Sequence, residues 1–488
     1  MVAAFDNFPA LLIWLPLIGG LLSFFITNER SVKAWSLFSS ILTLALFLFS
    51  LMYTDQKHYA LNSVSYVWLP ELGSSFALVL DGMSRILCLL TAVSFPLIFA
   101  STYSSSYRNP NAFYGLMLLT QCGLMGVFLA VDALAFYFFW ELALIPAYFL
   151  VSQWGGEKRI QAAFKFFIYT FAGSLFLLIG IIYVYLKTAD QSFSMVSFYQ
   201  VQLTAAEQGW LFWLFFVAFA IKMPIFPFHT WQPDAYEQSP TPVTMVLSGI
   251  MVKMGLFATL RWLIIIFPDA VKQFDNVVIG LSIVGMLYAS CMAMVQDDLK
   301  RLVAYSSIAH IGLMAASVFT LNQMSLQGLL VQMFNHGINI IGLWIVVYLI
   351  EKQTGIRKIS QLGGLALKAP ALAIMLVIIA LANIALPLTN AFVGEFMMFA
   401  GLYKFNPWYA AAAGLSIILA AVYTLNMVKN VFYGNLNAVT QGFKEILLYE
   451  RVILAMIVVL IFFVGVYPEP MFSMIKSASE MIIGKFIK

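Results

Sequence analysis

Three chargeable side chains, Glu141, Lys222 and Lys253, lie inside long apolar runs of this 488-residue sequence. At a rise of 1.5 Å per residue they fall about 12 to 20 Å along their predicted helices, too deep to reach water easily. A charge at that depth in hydrocarbon is costly, so such residues usually face a bundle interior or a wet cavity and handle ions or protons. We therefore predict a proton relay, with fixed ion pairs that set helix packing as the alternative.

Two histidines extend this set. His310 follows two serines, and His336 has Asn335 and Asn339 nearby. Histidine changes its protonation near neutral pH, so both rings are candidates for the relay. A hydrogen-bonded core histidine is the simpler alternative for each. No second ligand stands at helical spacing, so a metal site is not expected.

Lys222 is followed at once by Pro224 and Pro227. Two prolines remove backbone donors and break a helix. Irregular backbone at membrane depth is tolerated only where protein or water covers it. Polar residues follow this break, namely His229, Asp234 and Glu237. They are interpreted either as a polar mouth of the relay or as a solvated turn.

The composition indicates a membrane protein, since 62% of residues are hydrophobic and 10% are charged. A soluble domain carries about 25% charged residues. The three cysteines include no CxxC pair, which argues against a disulfide framework, an iron–sulfur cluster or a zinc site. No glycine-rich phosphate loop is present either. Redox and nucleotide chemistry are therefore not expected on this chain.

A membrane span needs about 20 mostly apolar residues. That length predicts an all-α, multi-pass protein of about 14 transmembrane helices. The predicted spans are 9–27, 33–53, 80–103, 112–131, 133–154, 161–186, 209–228, 242–267, 276–296, 302–320, 325–350, 370–403, 408–433 and 451–473. A polar segment, 54–79, separates the second and third spans, and its Tyr66 and Trp68 are placed at the lipid–water interface.

The twelfth segment is too long for one straight span of about 30 Å. It contains Pro387 near its middle and Glu395 on its second half, so we predict a second broken helix. The broken seventh and twelfth helices are five spans apart. Because successive spans cross the membrane in opposite directions, an odd separation gives these two helices opposite orientations. This arrangement is typical of inverted repeats in transporters. We accordingly divide the chain into a three-helix segment, two five-helix repeats, and a C-terminal helix with a tail, at 1–110, 111–267, 268–433 and 434–488.

Basic residues predict the orientation. Loops after odd-numbered spans hold twelve of them, Arg30, Lys33, Arg108, Lys158, Arg159, Lys300, Arg301, Lys352, Arg357, Lys358, Lys368 and Lys444. Loops after even-numbered spans hold four, Lys57, Lys187, Lys272 and Lys404. Because basic loops stay in the cytoplasm, both termini are predicted on the periplasmic side.

Several long motifs resemble one family. They are FYFFWELALIPAY (136–148), FAIKMPIFPFHTWQPDAYEQSPTPVT (219–244), GIMVKMGLFATLR (249–261), QDDLKRLVAYSSIAHIGLM (296–314) and FVGEF (392–396). These segments look like the antiporter-like membrane subunits of respiratory complex I, the NADH-quinone oxidoreductase, a family shared with cation/proton antiporter complexes. The resemblance covers nearly the whole chain. Most members carry lysine on the broken twelfth helix, whereas one branch carries glutamate, as at Glu395.

The resemblance implies proton pumping driven by electron transfer from NADH to quinone. It implies that Glu141 and Lys222 are the pair that loads a proton and that Lys253 is the centre of the relay. It further implies that His310 and His336 continue the relay and that Glu395 is its outlet. It also places FMN, the iron–sulfur clusters and the quinone site on partner subunits. The implied partners are neighbouring antiporter-like and other membrane subunits, within the bacterial inner membrane and without nucleic acid.

Two other functions stay open at this stage. One is a subunit of a monovalent cation/proton antiporter complex, for which lysine at position 395 would be more typical. The other is a packing subunit that conducts nothing, in which the buried charges only fix helix register. The sequence also departs from the family at the second break, LPLTNAFVGEF, where a glycine is usual near Leu388.

Overall fold

The computed structural model describes residues 7–53 and 60–486, and helices dominate it. The helices are α1 (Phe8–Ser23), α2 (Glu29–Ser50), α3 (Gly82–Ser101), α4 (Pro110–Leu129), α5 (Ala133–Trp154), α6 (Arg159–Lys187), α7 (Met195–Gln200), α8 (Ala205–Lys222), α9 (Trp231–Gln238), α10 (Thr241–Val246), α11 (Lys253–Ala258), α12 (Ile264–Ile266), α13 (Pro268–Met294), α14 (Leu299–Phe319), α15 (Gln323–Thr354), α16 (Leu365–Lys368), α17 (Pro370–Asn383), α18 (Asn390–Phe405), α19 (Pro407–Phe432), α20 (Leu448–Val466) and α21 (Glu469–Gly484).

Within the described residues, 12 helical segments are long and apolar enough to cross a membrane. The shorter apolar α1 and the pair formed by α17 and α18 supply the two remaining predicted spans. The multi-pass helical fold is therefore confirmed. The predicted division of the chain into repeats, and Lys57, which lies outside the described residues, stay predictions.

The eighth span, Thr241–Ile266, comprises α10, α11 and α12 and is wholly buried within the protein. Two π-helical turns, Leu247–Met251 and Thr259–Leu263, interrupt it. Apart from Lys253, Arg261 and a few hydroxyl residues, its sequence is apolar, as expected of a helix surrounded by other helices. A Cβ on Gly337 of α15 would lie 2.9 Å from the Gly249 carbonyl oxygen, so glycine permits the close approach of α15 to this span.

Both predicted helix breaks are present. The seventh span ends at Lys222, and the chain resumes helical form only in α9. The twelfth span is divided into α17 and α18 by a six-residue connection, 384–389. Lys222 lies directly before the first irregular segment, and Glu395 lies on the helix that follows the second one.

The second break adopts left-handed backbone without glycine. Ala385 has φ 56° and Leu388 has φ 72°. For residues with a Cβ this conformation costs about 1–2 kcal/mol each. Gly465 of α20 packs on this segment, and a Cβ there would lie 2.2 Å from the Leu388 carbonyl oxygen. Packing by α20 thus holds the strained break in place.

The segment between the second and third spans contains a β-hairpin, which the sequence analysis did not predict. Strand β1 (Ser63–Leu69) pairs antiparallel with β2 (Ser74–Val79), and Tyr66 faces Phe76 in the ladder. Gly73, at φ 64°, supplies the left-handed position between them. The ring of Trp68 packs edge-on against Phe138 of α5, with centroids 5.7 Å apart.

Asp132 fastens this hairpin to the bundle. Its buried carboxylate accepts hydrogen bonds from Ser74 Oγ, the Ser75 amide, and the Leu134 and Ala135 amides at the start of α5, at 3.0 Å each. Burial raises the pKa of Asp132, and these hydrogen bonds act in the opposite direction. An anionic N-cap also interacts favourably with the positive end of the helix.

The C-terminal region differs from the prediction. The fourteenth span, predicted to end at 473, ends at Val466, because Pro468 lacks a backbone donor and restricts Tyr467. A separate helix, α21, follows and packs against α3 and α15. Its buried face includes Ile475 and Ile482.

We expect Asp132→Ala to lower the free energy of unfolding by about 2 kcal/mol, because it removes an N-cap and leaves buried donors unpaired. Thermal unfolding of the detergent-solubilised protein measures the loss. Asp132→Asn retains a capping oxygen and should lose less, while Glu157→Ala, in an exposed loop, should change nothing. Equal melting temperatures for Asp132→Ala and Glu157→Ala would contradict the role given to Asp132.

Candidate functional site

Lys253 forms a hydrogen-bonded centre in the eighth span. Its side chain is fully buried, and its Nζ lies 2.9 Å from the Ser248 carbonyl oxygen and 2.8 Å from His336 Nδ1. The π turn before it moves the backbone ladder by one residue, as the hydrogen bond from the Val252 amide to the Leu247 carbonyl shows. The Lys253 ammonium donates to the carbonyl oxygen of Ser248, which lies within this irregular turn.

His310 and Glu395 form a second buried pair. His310 Nδ1 lies 3.0 Å from Glu395 Oε1, and Gln332 Nε2 donates to the same oxygen at 3.1 Å. The three residues come from α14, α18 and α15, so this pair joins the second half of the broken twelfth span to the core. A carboxylate that accepts two hydrogen bonds keeps a fixed position beside the imidazole.

The two pairs meet at the histidines. The His336 and His310 ring centroids lie 5.6 Å apart, and both Nε2 atoms are buried with no hydrogen-bond partner in the described part of the chain. Since Lys253 donates to His336 Nδ1, neutral His336 carries its proton on Nε2. Since Glu395 accepts from His310 Nδ1, neutral His310 offers Nε2 as an acceptor. The donor of one ring therefore complements the acceptor of the other.

A small cavity adjoins the far end of this chain of residues. It has a volume of about 20 Å³, room for about one water, and His310, Glu395 and Tyr423 contribute to its wall. Tyr423 donates to Ser306 Oγ at 3.0 Å, and Asn383 donates to the same oxygen at 3.2 Å. The sequence analysis did not identify these polar groups near Glu395.

Lys222 and Glu141 are placed differently. The Lys222 ammonium is 1% exposed and lies 5.3 Å from the centre of the Trp140 ring. Neither Lys222 Nζ nor Glu141 Oε1 has a hydrogen-bond partner among the described residues. The structure thus brings four predicted relay residues into one connected group and leaves these two outside it. A desolvated cation–π contact contributes about 2 kcal/mol, so Trp140 helps to hold the buried charge.

Two of the polar residues after the first break, Asp234 and Glu237, form ion pairs at a charged cavity. Asp234 pairs with Lys165 at 2.7 Å and with Arg301 at 3.1 Å, and Glu237 pairs with Arg301 at 2.8 Å. These four side chains, with Lys158, line a cavity of about 240 Å³. A cavity of that size with charged walls holds several waters. His229 takes no part, since its ring packs against Phe226 and Tyr288 instead.

Sequence reasoning missed Gln332, Trp140 and Tyr423 as neighbours of the relay. Each of the three carries a polar atom within a long apolar helix. For Gln332 and Tyr423 this polar atom is the feature of the sequence from which their place near the relay could have been predicted. Trp140 is adjacent to Glu141 in sequence, but an indole in a helix is most often a packing group. Only the crossing of α5 with α8 shows that its ring lies against Lys222.

Residues 130–420 of this chain match the family described as NADH:quinone oxidoreductase/Mrp antiporter, transmembrane. NADH-quinone oxidoreductase subunit M of Rickettsia typhi (strain ATCC VR-144 / Wilmington) is 34% identical over 484 residues, 97% of this chain and 98% of that protein.

Solved structures agree. One chain of respiratory complex I from Thermus thermophilus with bound NADH superposes with a TM-score of 0.91 at 29% identity, over 97% of this chain and 99% of that chain. A chain of the Mrp complex from Dietzia sp. DQ12-45-1b gives a TM-score of 0.86 at 20% identity, over 97% and 96% of the two chains. The second likeness concerns the fold alone.

The resemblance inferred from the sequence motifs is therefore confirmed along almost the whole chain, including the motif that contains Glu395. This chain belongs to the membrane-spanning NADH:quinone oxidoreductase/Mrp antiporter family, and within it to the group of NADH-quinone oxidoreductase subunit M.

Proposed function

We propose that this chain is a proton-translocating membrane subunit of an NADH-quinone oxidoreductase. The observation that carries the proposal is the pair of buried, hydrogen-bonded contacts from Lys253 to His336 and from His310 to Glu395. Buried ionisable groups that touch one another in series are able to pass protons, whereas helix packing alone is served as well by apolar residues. The names of the similar proteins supply the reaction to which this relay is coupled.

The central transfer uses the hydrogen-bonded atoms in order. The Lys253 ammonium gives a proton to His336 Nδ1, and His336 gives its Nε2 proton toward His310 Nε2. His310 then releases its Nδ1 proton to the Glu395 carboxylate. Each ring accepts one proton and loses another, so charge moves across the centre while both histidines end neutral in the opposite tautomer.

Glu141 and Lys222 load the relay from the polar mouth. Lys222 Nζ has no hydrogen-bond partner among the described residues, and we assign it proton exchange with water from the cavity lined by Asp234 and Arg301. Glu141 is the carboxylate that acts electrostatically on Lys222. Movement of the two relative to one another changes how firmly Lys222 holds its proton.

The relay pairs stand at matching positions in two inverted five-helix repeats. Glu141 and Lys222 lie on the fifth and seventh spans, and His310 and Glu395 lie on the tenth and twelfth, each five spans later. Both pairs combine one uninterrupted helix with one broken helix. Such correspondence supports inward and outward half-paths built by the same architecture in opposite orientations.

The redox chemistry belongs to partner subunits. We assign FMN, the iron–sulfur clusters and the quinone site to those partner subunits. This chain then receives energy only as conformational or electrostatic change that is passed through neighbouring membrane subunits. Antiporter-like subunits are the expected lateral neighbours in the bacterial inner membrane. The long helices α2, α6 and α19 present exposed apolar side chains, as surfaces for lipid or such neighbours require.

The alternative, a subunit of a cation/proton antiporter complex, has weaker support. The Mrp chain is 20% identical to this chain, and a likeness at that identity supports a shared fold alone. Glu395 in place of lysine on the broken twelfth helix also favours the NADH-quinone oxidoreductase assignment.

We expect Lys253→Met and Glu395→Gln to lower NADH-driven proton pumping about tenfold or more, the scale expected when a positioned proton carrier is removed. Both changes nearly preserve side-chain volume. Pumping is measured by dye quenching in vesicles that contain the assembled complex. Lys187→Met is the matched control, since Lys187 forms an exposed ion pair with Glu207 far from the relay.

Wild-type pumping by Lys253→Met, with the subunit present in the complex, would refute the conducting role and favour a packing subunit. Pumping that depends on a Na⁺ gradient and not on NADH would favour the antiporter alternative. Loss of pumping in Lys187→Met as well would show that the assay reports assembly and not proton transfer.

We further place both chain termini on the periplasmic side. In a Cys291→Ser background, Glu157→Cys should react with a membrane-impermeant maleimide only in inside-out vesicles, and Ala189→Cys only in right-side-out vesicles. Cys88 and Cys122 are buried and stay unlabelled. The opposite labelling pattern would reverse the orientation inferred from the basic loops.

A further inference from the structure

An open cavity of about 310 Å³ lies at one end of the bundle, where α4 begins and α5 ends. Its wall is formed by six residues, Arg108, Asn109, Leu116, Phe149, Gln153 and Trp154. None of these six described residues is acidic, so the formal charge of the wall is that of the Arg108 guanidinium. At about 30 Å³ for each water, the cavity holds about ten waters, which is room for a group larger than a single ion.

The Arg108 guanidinium differs from other basic groups at this end of the bundle. Lys33 pairs with Glu29 at 2.7 Å. Lys352 pairs with Glu450 at 3.1 Å. Arg108 is exposed, and within the part of the chain that the structure describes its side chain forms no ion pair and donates no hydrogen bond. A guanidinium presents a planar set of donors that matches phosphate oxygens two at a time, so this side chain is available to a phosphate group.

The backbone of Arg108 is held in place although its side chain is free. The Trp154 indole Nε1 donates to the Arg108 carbonyl oxygen. The Trp154 ring also packs edge-on against Phe113, with centroids 5.5 Å apart, and Phe113 stacks on Tyr107 at 3.9 Å. These contacts join the loop before α4 to the end of α5. A ligand that binds Arg108 therefore loses little free energy to ordering of the loop.

The wall changes from polar to apolar with depth. Leu116 lies six residues into α4 from Pro110, and Phe149 lies five residues before Trp154 on α5. At 1.5 Å per residue they are about 9 and 8 Å deeper than the helix ends beside Arg108. The interfacial layer on each side of a bilayer is about 5–8 Å thick. The polar wall thus lies at the depth of lipid headgroups, and the apolar wall reaches the hydrocarbon.

We propose that this cavity binds the headgroup of an anionic phospholipid. Arg108 binds the phosphate, and the amides of Asn109 and Gln153 donate to the remaining phosphate and glycerol oxygens. The Asn109 amide is available because it makes no capping hydrogen bond to α4. Leu116 and Phe149, the latter 44% exposed, contact the first part of an acyl chain. The site is separate from the proposed proton relay and does not depend on it.

The charge of the wall selects the class of lipid. A zwitterionic headgroup brings its own ammonium group, and the described wall has no carboxylate to receive it beside Arg108. An anionic headgroup brings a net negative charge that the guanidinium neutralises. Basic pockets between transmembrane helices on the cytoplasmic side are typical sites for such headgroups. The proposed orientation of the chain places this cavity on that side.

Photo-crosslinking in the assembled complex tests the site. The complex is reconstituted in vesicles of phosphatidylcholine and phosphatidylglycerol, with a trace of phosphatidylglycerol that carries a photoreactive group near its acyl ester. Peptides that contain segments 108–116 and 149–154 should carry the label. Arg108→Gln should lower this labelling about fivefold, the contribution of one basic residue near an anionic membrane surface. Arg108→Lys keeps the charge and should lose less.

Arg30→Gln is the matched control, because Arg30 is an exposed arginine at the same end of the bundle that does not line this cavity. Its labelling should equal that of the wild type. Unchanged labelling in Arg108→Gln, or an equal loss in Arg30→Gln, would overturn the site. Equal labelling of these segments by a photoreactive phosphatidylcholine would overturn its selectivity for anionic lipid and with it the proposal.

Inorganic phosphate separates a lipid site from a site for a free anion. Phosphate added at the ionic strength of a chloride control should leave the labelling unchanged. Displacement of the label by phosphate alone would assign the cavity to the free anion and refute the lipid. Label on the outer face of α19 but none on segments 108–116 and 149–154 of the wild-type complex would show that a partner subunit covers the cavity, and this too would refute the proposal.

Discussion

The structure depends on one constraint, that a charge or polar atom buried in a low-dielectric bundle needs a partner. An isolated lysine ammonium in such surroundings costs several kcal/mol even after relaxation. At Lys253 the need is met by two acceptors, the Ser248 carbonyl and His336 Nδ1. The first of these acceptors lies in the π-helical turn Leu247–Met251 that precedes the lysine.

The same constraint accounts for the broken helices. A helix end carries unpaired backbone groups, and a span that stops inside the membrane must satisfy them with protein or water. The second break is kept in strained left-handed backbone at Ala385 and Leu388 by the close packing of Gly465. Strain that persists in this way usually marks a functional position. Here it directs α18 so that Glu395 reaches His310.

The sequence was sufficient for the number of spans, both breaks and the buried charges Lys222, Lys253 and Glu395, because long apolar runs and prolines are local signals. It misplaced what depends on packing. Pro268 begins α13 well before the apolar run, since charged residues of its first turns mask the helix. The hairpin after the second span and helix α21 were missed, because short alternating or amphipathic segments give weak signals.

The site was foreseen in part for the same reason. The free-energy cost of burying a charge identifies Lys222, Lys253 and Glu395 individually. Contacts between helices that are distant in sequence decide which of these side chains meet. Lys253 and His336 are 83 residues apart, and His310 and Glu395 are 85 residues apart. Nothing local in the sequence indicates that these become direct hydrogen bonds while Lys222 remains without one.

This difference between the two halves bears on how proton movement is controlled. A proton path whose connections never change conducts equally well in both directions, so it cannot by itself act as a pump. Directionality requires one step whose connection changes with an external signal. Within the part of the chain that the structure describes, Lys222 has a ring contact but no hydrogen-bond partner, and it lies next to a break in its helix. A small shift of α8 or α5 would change its distance to Glu141 without disturbing the central bonds. In the proposed relay the hydrogen-bonded pairs at the centre and the loosely held Lys222 are thus complementary, since the pairs would conduct and Lys222 would be the point at which a partner subunit acts.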